Sequence, residues 1–96
     1  MEVESEKLIE RKLTAKLREI GGWSIKILSV HINGLPDRLC LLPGGRLFFA
    51  EVKTTKKKPE KIQLHVHKRL RKLGFRVEVI DKSAQIFEIL KQYGFE

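Results

Sequence analysis

Apolar side chains recur along the chain with a helical period in some stretches and in short, turn-bounded runs in others. Ile9, Leu13 and Leu17 recur every four residues, which predicts a helix over residues 4–20. Apolar runs between turn residues predict strands over 23–30, 37–42, 46–54 and 75–80. Two more helices are predicted, over 59–73 with an apolar stripe of Ile62, Val66, Leu70 and Leu73, and over 83–93.

Capping and turn residues define the predicted ends of these elements. Ser5 is placed to cap the first helix, and Gly21 follows its last apolar residue. Pro59 suits the first turn of the second helix, and Gly74 stops that helix. Ser83 is predicted to cap the last helix.

The predicted order of elements is helix, three strands, helix, strand, helix. The second and third strands form a hairpin, and a helix between the third and fourth strands indicates a βαβ crossover in a mixed sheet. With 96 residues and no repeat or internal boundary, the sequence predicts one α/β domain over residues 1–96.

A group of ionisable side chains is predicted at one end of the sheet. Side chains alternate between faces along a strand, so Glu51 and Lys53 share a face of the third strand. Asp37 begins the antiparallel partner strand and is therefore expected beside Glu51. Two carboxylates and a lysine suit a hard divalent cation such as Mg²⁺ acting on a phosphate ester, while a simple carboxylate–lysine salt bridge is the structural alternative.

Two predicted helices carry further candidates. Glu10 borders the apolar stripe of the first helix, where it is either a third carboxylate of the site or a surface charge. Gln63 and His67 are four residues apart on one side of the second helix and could reach the same site edge. His65 faces elsewhere and is interpreted as a surface residue.

The net charge and its distribution along the chain indicate which class of molecule the protein binds. The net charge is +8, and residues 52–76 carry ten basic side chains against one acidic, whereas the rest of the chain is nearly balanced. Such a block indicates a polyanion, with nucleic acid favoured over a membrane surface. One cysteine, Cys40, excludes an internal disulfide and fits an intracellular setting; it is interpreted as a buried structural thiol. The charged N-terminus shows no signal peptide.

These motifs together resemble the VRR-NUC domain, the virus-type replication-repair nuclease branch of the PD-(D/E)xK superfamily. The similarity extends from Glu10 to about Leu90. It is carried by the runs Gly34-Leu35-Pro36-Asp37-Arg38, Leu41-Leu42-Pro43-Gly44-Gly45, Phe49-Ala50-Glu51-Val52-Lys53 and Leu73-Gly74-Phe75-Arg76-Val77, together with Gln63.

The resemblance implies a restriction-endonuclease-like core, αβββαβ(α), with a central mixed sheet flanked by helices. It implies a catalytic set of Asp37, Glu51, Lys53, Glu10 and Gln63, and metal ligands at Asp37, Glu51, the Val52 backbone carbonyl and Glu10. The expected cofactor is Mg²⁺ or Mn²⁺. The resemblance is to stand-alone phage-encoded members, which implies a homodimer that cuts branched DNA such as Holliday junctions inside a bacterial host.

The basic stretch after Lys53 is expected to bind DNA phosphates. The candidates are Lys56, Lys57, Lys58, Lys61 and Lys68. Three alternatives stay open at this point: a non-catalytic DNA-binding module with the same fold, a nuclease directed at flaps, and an assembly subunit that binds no nucleic acid.

Overall fold

Four strands form one mixed sheet, and three helices pack on its two faces. The computed structural model describes residues 2–96. In chain order the elements are α1 Glu6–Glu19, β1 Trp23–Lys26, β2 Arg38–Leu42, β3 Arg46–Val52, α2 Lys61–Lys72, β4 Val77–Ile80 and α3 Ala84–Gln92. This order and the mixed sheet confirm the α/β restriction-endonuclease-like core predicted from the sequence. In the described residues no helix is long and apolar enough to cross a membrane.

The strands lie in the order β1-β2-β3-β4. β1 and β2 pair antiparallel, and so do β2 and β3, with Arg38 opposite Ala50. β3 and β4 pair parallel, with Glu51 opposite Val79, because α2 carries the chain back across the sheet. The hairpin and the crossover were both predicted.

The main core lies between one face of the sheet and the helices α1 and α3. Its buried side chains are Ile9, Leu13, Leu17, Cys40, Leu42, Phe48, Ala50, Val52, Ile80, Ile86, Ile89 and Leu90. Phe48, Ala50 and Val52 alternate along β3 and therefore point to this face. Cys40 is fully buried as predicted, and burial raises the pKa of its thiol to about 12. The opposite face of β3 carries Glu51 and is covered by α2.

The first strand is shorter than the sequence predicted. The Ile27 N–H still donates to the Asp37 carbonyl oxygen over 2.8 Å, but pairing ends there because β2 begins at Arg38. Leu28 and Val30 are 84% and 91% exposed. The prediction of a strand to Val30 was therefore wrong, since residues 28–37 form a loop with no strand to pair with.

The predicted apolar stripe of α2 is not its buried face. Ile62 and Leu73 are 47% and 74% exposed, whereas His67 is fully buried. Val66 and Leu70 are half-buried beside Ile32 of the loop. The helix instead turns its polar side toward the sheet because Glu51 projects from β3 at that point.

Two of the predicted capping assignments also change. Ser5 caps α1 as predicted, accepting the Leu8 N–H over 3.1 Å. Pro59 precedes the N-cap of α2, which is Glu60, and so lies outside the first turn. Ser83 makes no side-chain cap on α3. The Gln85 side chain instead accepts the N–H groups of Asp81 and Lys82, which precede the helix.

Candidate active site

Asp37 lies at the start of β2 and is tied to both neighbouring strands. Its carbonyl oxygen accepts the Ile27 N–H over 2.8 Å, and its Oδ2 accepts the Val52 N–H over 2.9 Å. The second bond crosses from the start of β2 to the end of β3. It fixes the carboxylate beside the strand that carries Glu51, as the antiparallel register predicted.

The loop before Asp37 approaches α2 closely at Gly34. Gly34 has a φ of +88°, and a Cβ there would lie 2.7 Å from the Ile62 carbonyl oxygen. Only glycine tolerates both the left-handed backbone and this contact. Pro36, which follows two residues later, is fully buried. The contact with α2 therefore fixes the position of the segment Gly34–Pro36, and with it the position at which Asp37 enters the sheet.

Glu51 is a buried carboxylate with three polar neighbours. It is 1% exposed. Its Oε2 accepts a hydrogen bond from Gln63 Nε2 over 2.9 Å and lies 3.5 Å from Lys53 Nζ. Its Oε1 lies 3.4 Å from His67 Nε2. Two residues of α2 and one of the chain after β3 thus hold both oxygens of this carboxylate.

Burial raises the pKa of Glu51 to about 7, and the charge of Asp37 adds to the rise. The Lys53 ammonium acts in the opposite direction but does not cancel it. A low-dielectric pocket with two adjacent carboxylates and one lysine has an excess of negative charge when both carboxylates are ionised. The electrostatics of the pair therefore favour a bound cation.

The donor set fits Mg²⁺ or Mn²⁺. These ions take oxygen ligands, and Mg²⁺ typically binds one or two carboxylates while retaining several waters. Asp37 and Glu51 supply two carboxylates from adjacent strands. Within residues 2–96 no group of three or more histidine, cysteine and acidic side chains could hold a metal ion.

Lys53 follows the last residue of β3, and its backbone is held in place. Its N–H donates to the Ile80 carbonyl oxygen of β4 over 2.9 Å. Its side chain is 15% exposed, so the ammonium is only partly accessible to solvent. The Lys53 ammonium is therefore held beside the Glu51 carboxylate, 3.5 Å from its Oε2.

Glu10 does not join the two carboxylates. Its Oε1 accepts a hydrogen bond from Arg38 Nε over 3.0 Å and lies 3.7 Å from Lys26 Nζ. Arg38 is opposite Ala50, whose side chain faces α1, so this ion pair lies on the α1 face of the sheet. Glu10 is connected to the site through Arg38, the residue that follows Asp37.

His67 has a larger part in the site than the sequence indicated. It is fully buried, burial lowers its pKa, and the nearby positive charge of Arg71 lowers it further. In a neutral ring that donates from Nε2 to Glu51, Nδ1 carries no proton. Nδ1 also has no hydrogen-bond partner among the described residues. The i, i+4 spacing from Gln63 was the available signal.

The lysines predicted to bind phosphates are all exposed. Lys56, Lys57 and Lys58 lie in the loop after β3, and Lys61 and Lys68 lie on α2. Lys56 adopts a φ of +74°, and its backbone N–H donates to Asp81 Oδ2 over 3.0 Å. This loop therefore has a defined backbone shape immediately beyond Lys53.

The chain is similar to a known protein and to a solved structure. A protein of Acyrthosiphon pisum secondary endosymbiont phage 1 with the name "Putative nuclease p44" is 43% identical over 75 residues, which cover 78% of this chain and 81% of that protein. A solved structure described as a VRR_NUC domain superposes with a TM-score of 0.86 at 29% identity, covering 94% of this chain and 99% of the other. No protein-family model matches the chain.

Proposed function

Because the chain belongs to the VRR-NUC family of nucleases, we propose that it is a metal-dependent endonuclease that hydrolyses DNA phosphodiester bonds as a single domain. The observation that carries the proposal is the adjacent pair Asp37 and Glu51, with Lys53 Nζ 3.5 Å from Glu51. A salt bridge alone would explain Lys53 and Glu51. It would not explain a second carboxylate placed where its charge raises the pKa of the first.

Each residue of the proposed site has a distinct task. Asp37 and Glu51 hold Mg²⁺ or Mn²⁺, and the Val52 backbone carbonyl is the third protein ligand. When bound, the ion polarises a phosphoryl oxygen and lowers the pKa of a bound water. Lys53 orients the attacking water or stabilises the negative charge that develops at phosphorus.

The remaining candidates act by position. Gln63 and His67 hold the oxygens of Glu51, so they fix the carboxylate that binds the ion. Glu10 acts through Arg38, beside Asp37, because its carboxylate is already paired there. The exposed lysines Lys56, Lys57, Lys58, Lys61 and Lys68 bind phosphates away from the scissile bond.

We also propose that the active species is a homodimer. The outer side of α2 and the loop between β1 and β2 form an apolar surface of exposed and half-buried side chains: Ile32, Leu35, Ile62, Val66, Leu70 and Leu73. A contiguous apolar surface of this kind is typical of a protein contact. A second copy placed on it by a two-fold axis would bring two sites to one DNA, which suits paired cuts in a symmetric four-way junction.

The experiment that tests this function is cleavage of matched synthetic DNAs by the whole chain. The panel contains a four-way junction, a flap, a duplex and a single strand, each with Mg²⁺, Mn²⁺ or EDTA. We expect metal-dependent cutting with the junction cut fastest. Faster cutting of the flap would show that the flap, and not the junction, is the preferred substrate. Binding without cutting under every metal condition would overturn the enzymatic proposal and identify a DNA-binding module.

A further inference from the structure

A groove of about 440 Å³ runs along α1. Its charged lining is Lys7, Glu10, Arg11, Arg18, Lys26 and Arg38. Five cations therefore face a single carboxylate. Such a concentration of one sign of charge in a concave surface attracts anions.

The cations on α1 differ in whether they are neutralised. Lys12 and Lys16, on another flank of the helix, pair with carboxylates at 3.1 and 3.5 Å. Lys7, Arg11 and Arg18 follow at intervals of four and seven residues, which places them along the groove. In the part of the chain that the structure describes, none of these three has a carboxylate within 4.0 Å.

At Arg38 the groove comes to the sheet end that carries the candidate active site, on the α1 face, whereas Glu51 lies on the α2 face. Arg38 directly follows Asp37, and its side chain is 16% exposed. Its Nε donates to Glu10, while its Nη groups make no hydrogen bond to the described residues. Glu10 thus orients a guanidinium whose remaining donors are available to a ligand, one residue from a proposed metal ligand.

We propose that this groove binds the phosphate backbone of the DNA arm that leads to the Asp37–Glu51 pair, an inference that rests on the proposed nuclease function. From Lys7 to Arg18 the helix advances about 16 Å at 1.5 Å per residue. That is roughly half of a 34 Å turn of duplex DNA, enough to meet several consecutive phosphates. DNA then contacts the chain on two surfaces, the groove and the lysines that follow Lys53.

The test compares two double variants of the whole chain with equal loss of charge. R11Q/R18Q removes two groove cations, and K12Q/K16Q removes two cations from another flank of the same helix. Binding of a fluorescein-labelled four-way junction and a labelled duplex is measured in EDTA from 50 to 200 mM salt. EDTA keeps the binding measurement independent of cleavage.

We expect R11Q/R18Q to lower affinity roughly tenfold and to reduce the salt slope by about 2, because two phosphate contacts are lost. K12Q/K16Q should stay within about twofold of the unmodified chain, as expected for residues outside the contact. With Mg²⁺, R11Q/R18Q should raise KM and leave kcat unchanged.

Equal affinity and equal salt slope for the two double variants would overturn the groove assignment, even if the unmodified chain cuts DNA. Loss of kcat with unchanged affinity would overturn it too. Conversely, salt-dependent binding through Arg11 and Arg18 without any cleavage would support DNA binding in the groove and contradict the proposed nuclease activity.

Discussion

Gln63 joins a helix terminus to a buried carboxylate. Its Nε2 donates to Glu51 Oε2 over 2.9 Å, and its Oε1 accepts the Glu60 N–H over 2.8 Å. The amide is therefore fixed from both ends. Any movement of the first turn of α2 would move the donor that holds Glu51 in place.

Replacing Gln63 should impair both stability and catalysis. Gln63→Leu leaves a buried Glu51 oxygen without its amide donor, which should cost about 1–3 kcal/mol in the free energy of unfolding. Cleavage should fall by roughly 10- to 100-fold, as is typical when a residue that orients a metal ligand is lost. Urea unfolding and single-turnover cleavage measure the two effects.

Gln85→Leu is the matched control for that variant. Gln85 also accepts backbone N–H groups with its Oε1, from Asp81 and Lys82 just before α3, and in the described residues it makes no hydrogen bond to Glu51. Its loss should lower stability without changing the cleavage rate of the folded protein. Equal loss of cleavage in both variants would show that Gln63 acts only through helix stability.

Metal binding should be visible without any substrate. An ion that binds the folded chain stabilises it by about 1.4 kcal/mol at ten times its dissociation constant, or roughly 5–10 °C for a domain of this size. We expect Mg²⁺ or Mn²⁺ to raise the Tm of the unmodified chain and not that of Asp37→Asn. Glu10→Gln should keep the shift, because Glu10 is paired with Arg38 and Lys26.

If the metal still raises the Tm of Asp37→Asn, the metal binds at a place other than the Asp37–Glu51 pair. Loss of the shift in Glu10→Gln would instead make Glu10 a ligand and require its ion pair with Arg38 to open. Differential scanning fluorimetry with each metal and with EDTA distinguishes these results.

Acid should weaken the contact between the N-terminal segment and α3. Hydrogen bonds from the Ser83 hydroxyl and backbone N–H lower the pKa of Glu4 from 4.5 to about 2. A carboxyl whose folded pKa is lowered contributes stability that is full above pH 4.5 and is lost as the pH falls toward 2. Glu4→Gln should therefore be less stable than the unmodified chain at pH 7, and the difference should shrink steadily below pH 4.5.

Urea unfolding at pH 7, 4.5, 3.5 and 2.5 measures that difference. A difference that stays constant over this range would show that the charge on Glu4 is not what holds Ser83. Lys12 also contacts Glu4, so Lys12→Gln is the control that removes the ion pair while keeping both bonds from Ser83.

The apolar surface on α2 should determine whether the protein is a monomer or a dimer in solution. Leu73 is 74% exposed at the end of that surface, so Leu73→Glu should place a charge in the dimer contact and yield monomers. Phe87→Glu is the control, because Phe87 is 54% exposed on α3. Sedimentation equilibrium should give twice the chain mass for the unmodified chain and for Phe87→Glu. A monomeric unmodified chain would contradict the dimer proposal.

Strand alternation predicted the position of Asp37 beside Glu51, because register within a hairpin depends on local pattern and turn position. The same kind of pattern was wrong for α2. Apolar periodicity marks the side of a helix that is best able to be buried, but it carries no information about a polar site beneath it. His67 and Gln63 face the sheet because Glu51 is there, and the apolar stripe is left outside.

Other differences arise from contacts between elements that are distant in sequence. Leu28 and Val30 have strand-like side chains, yet no strand lies beside them, so local propensity overstated β1. Glu10 is paired with Arg38 and Lys26 from two different strands. No spacing within α1 could predict whether its carboxylate would meet those cations or the Asp37–Glu51 pair.

The central claim is that Asp37 and Glu51 carry a metal-dependent cleavage activity. The most direct measurement is single-turnover cleavage of a four-way junction by Asp37→Asn and Glu51→Gln with Mg²⁺ or Mn²⁺, alongside junction binding in EDTA. We predict a loss of cleavage of roughly a thousandfold or more in each variant, with binding within a few-fold of the unmodified chain. Metal-dependent cleavage at the unmodified rate in both variants would contradict the account.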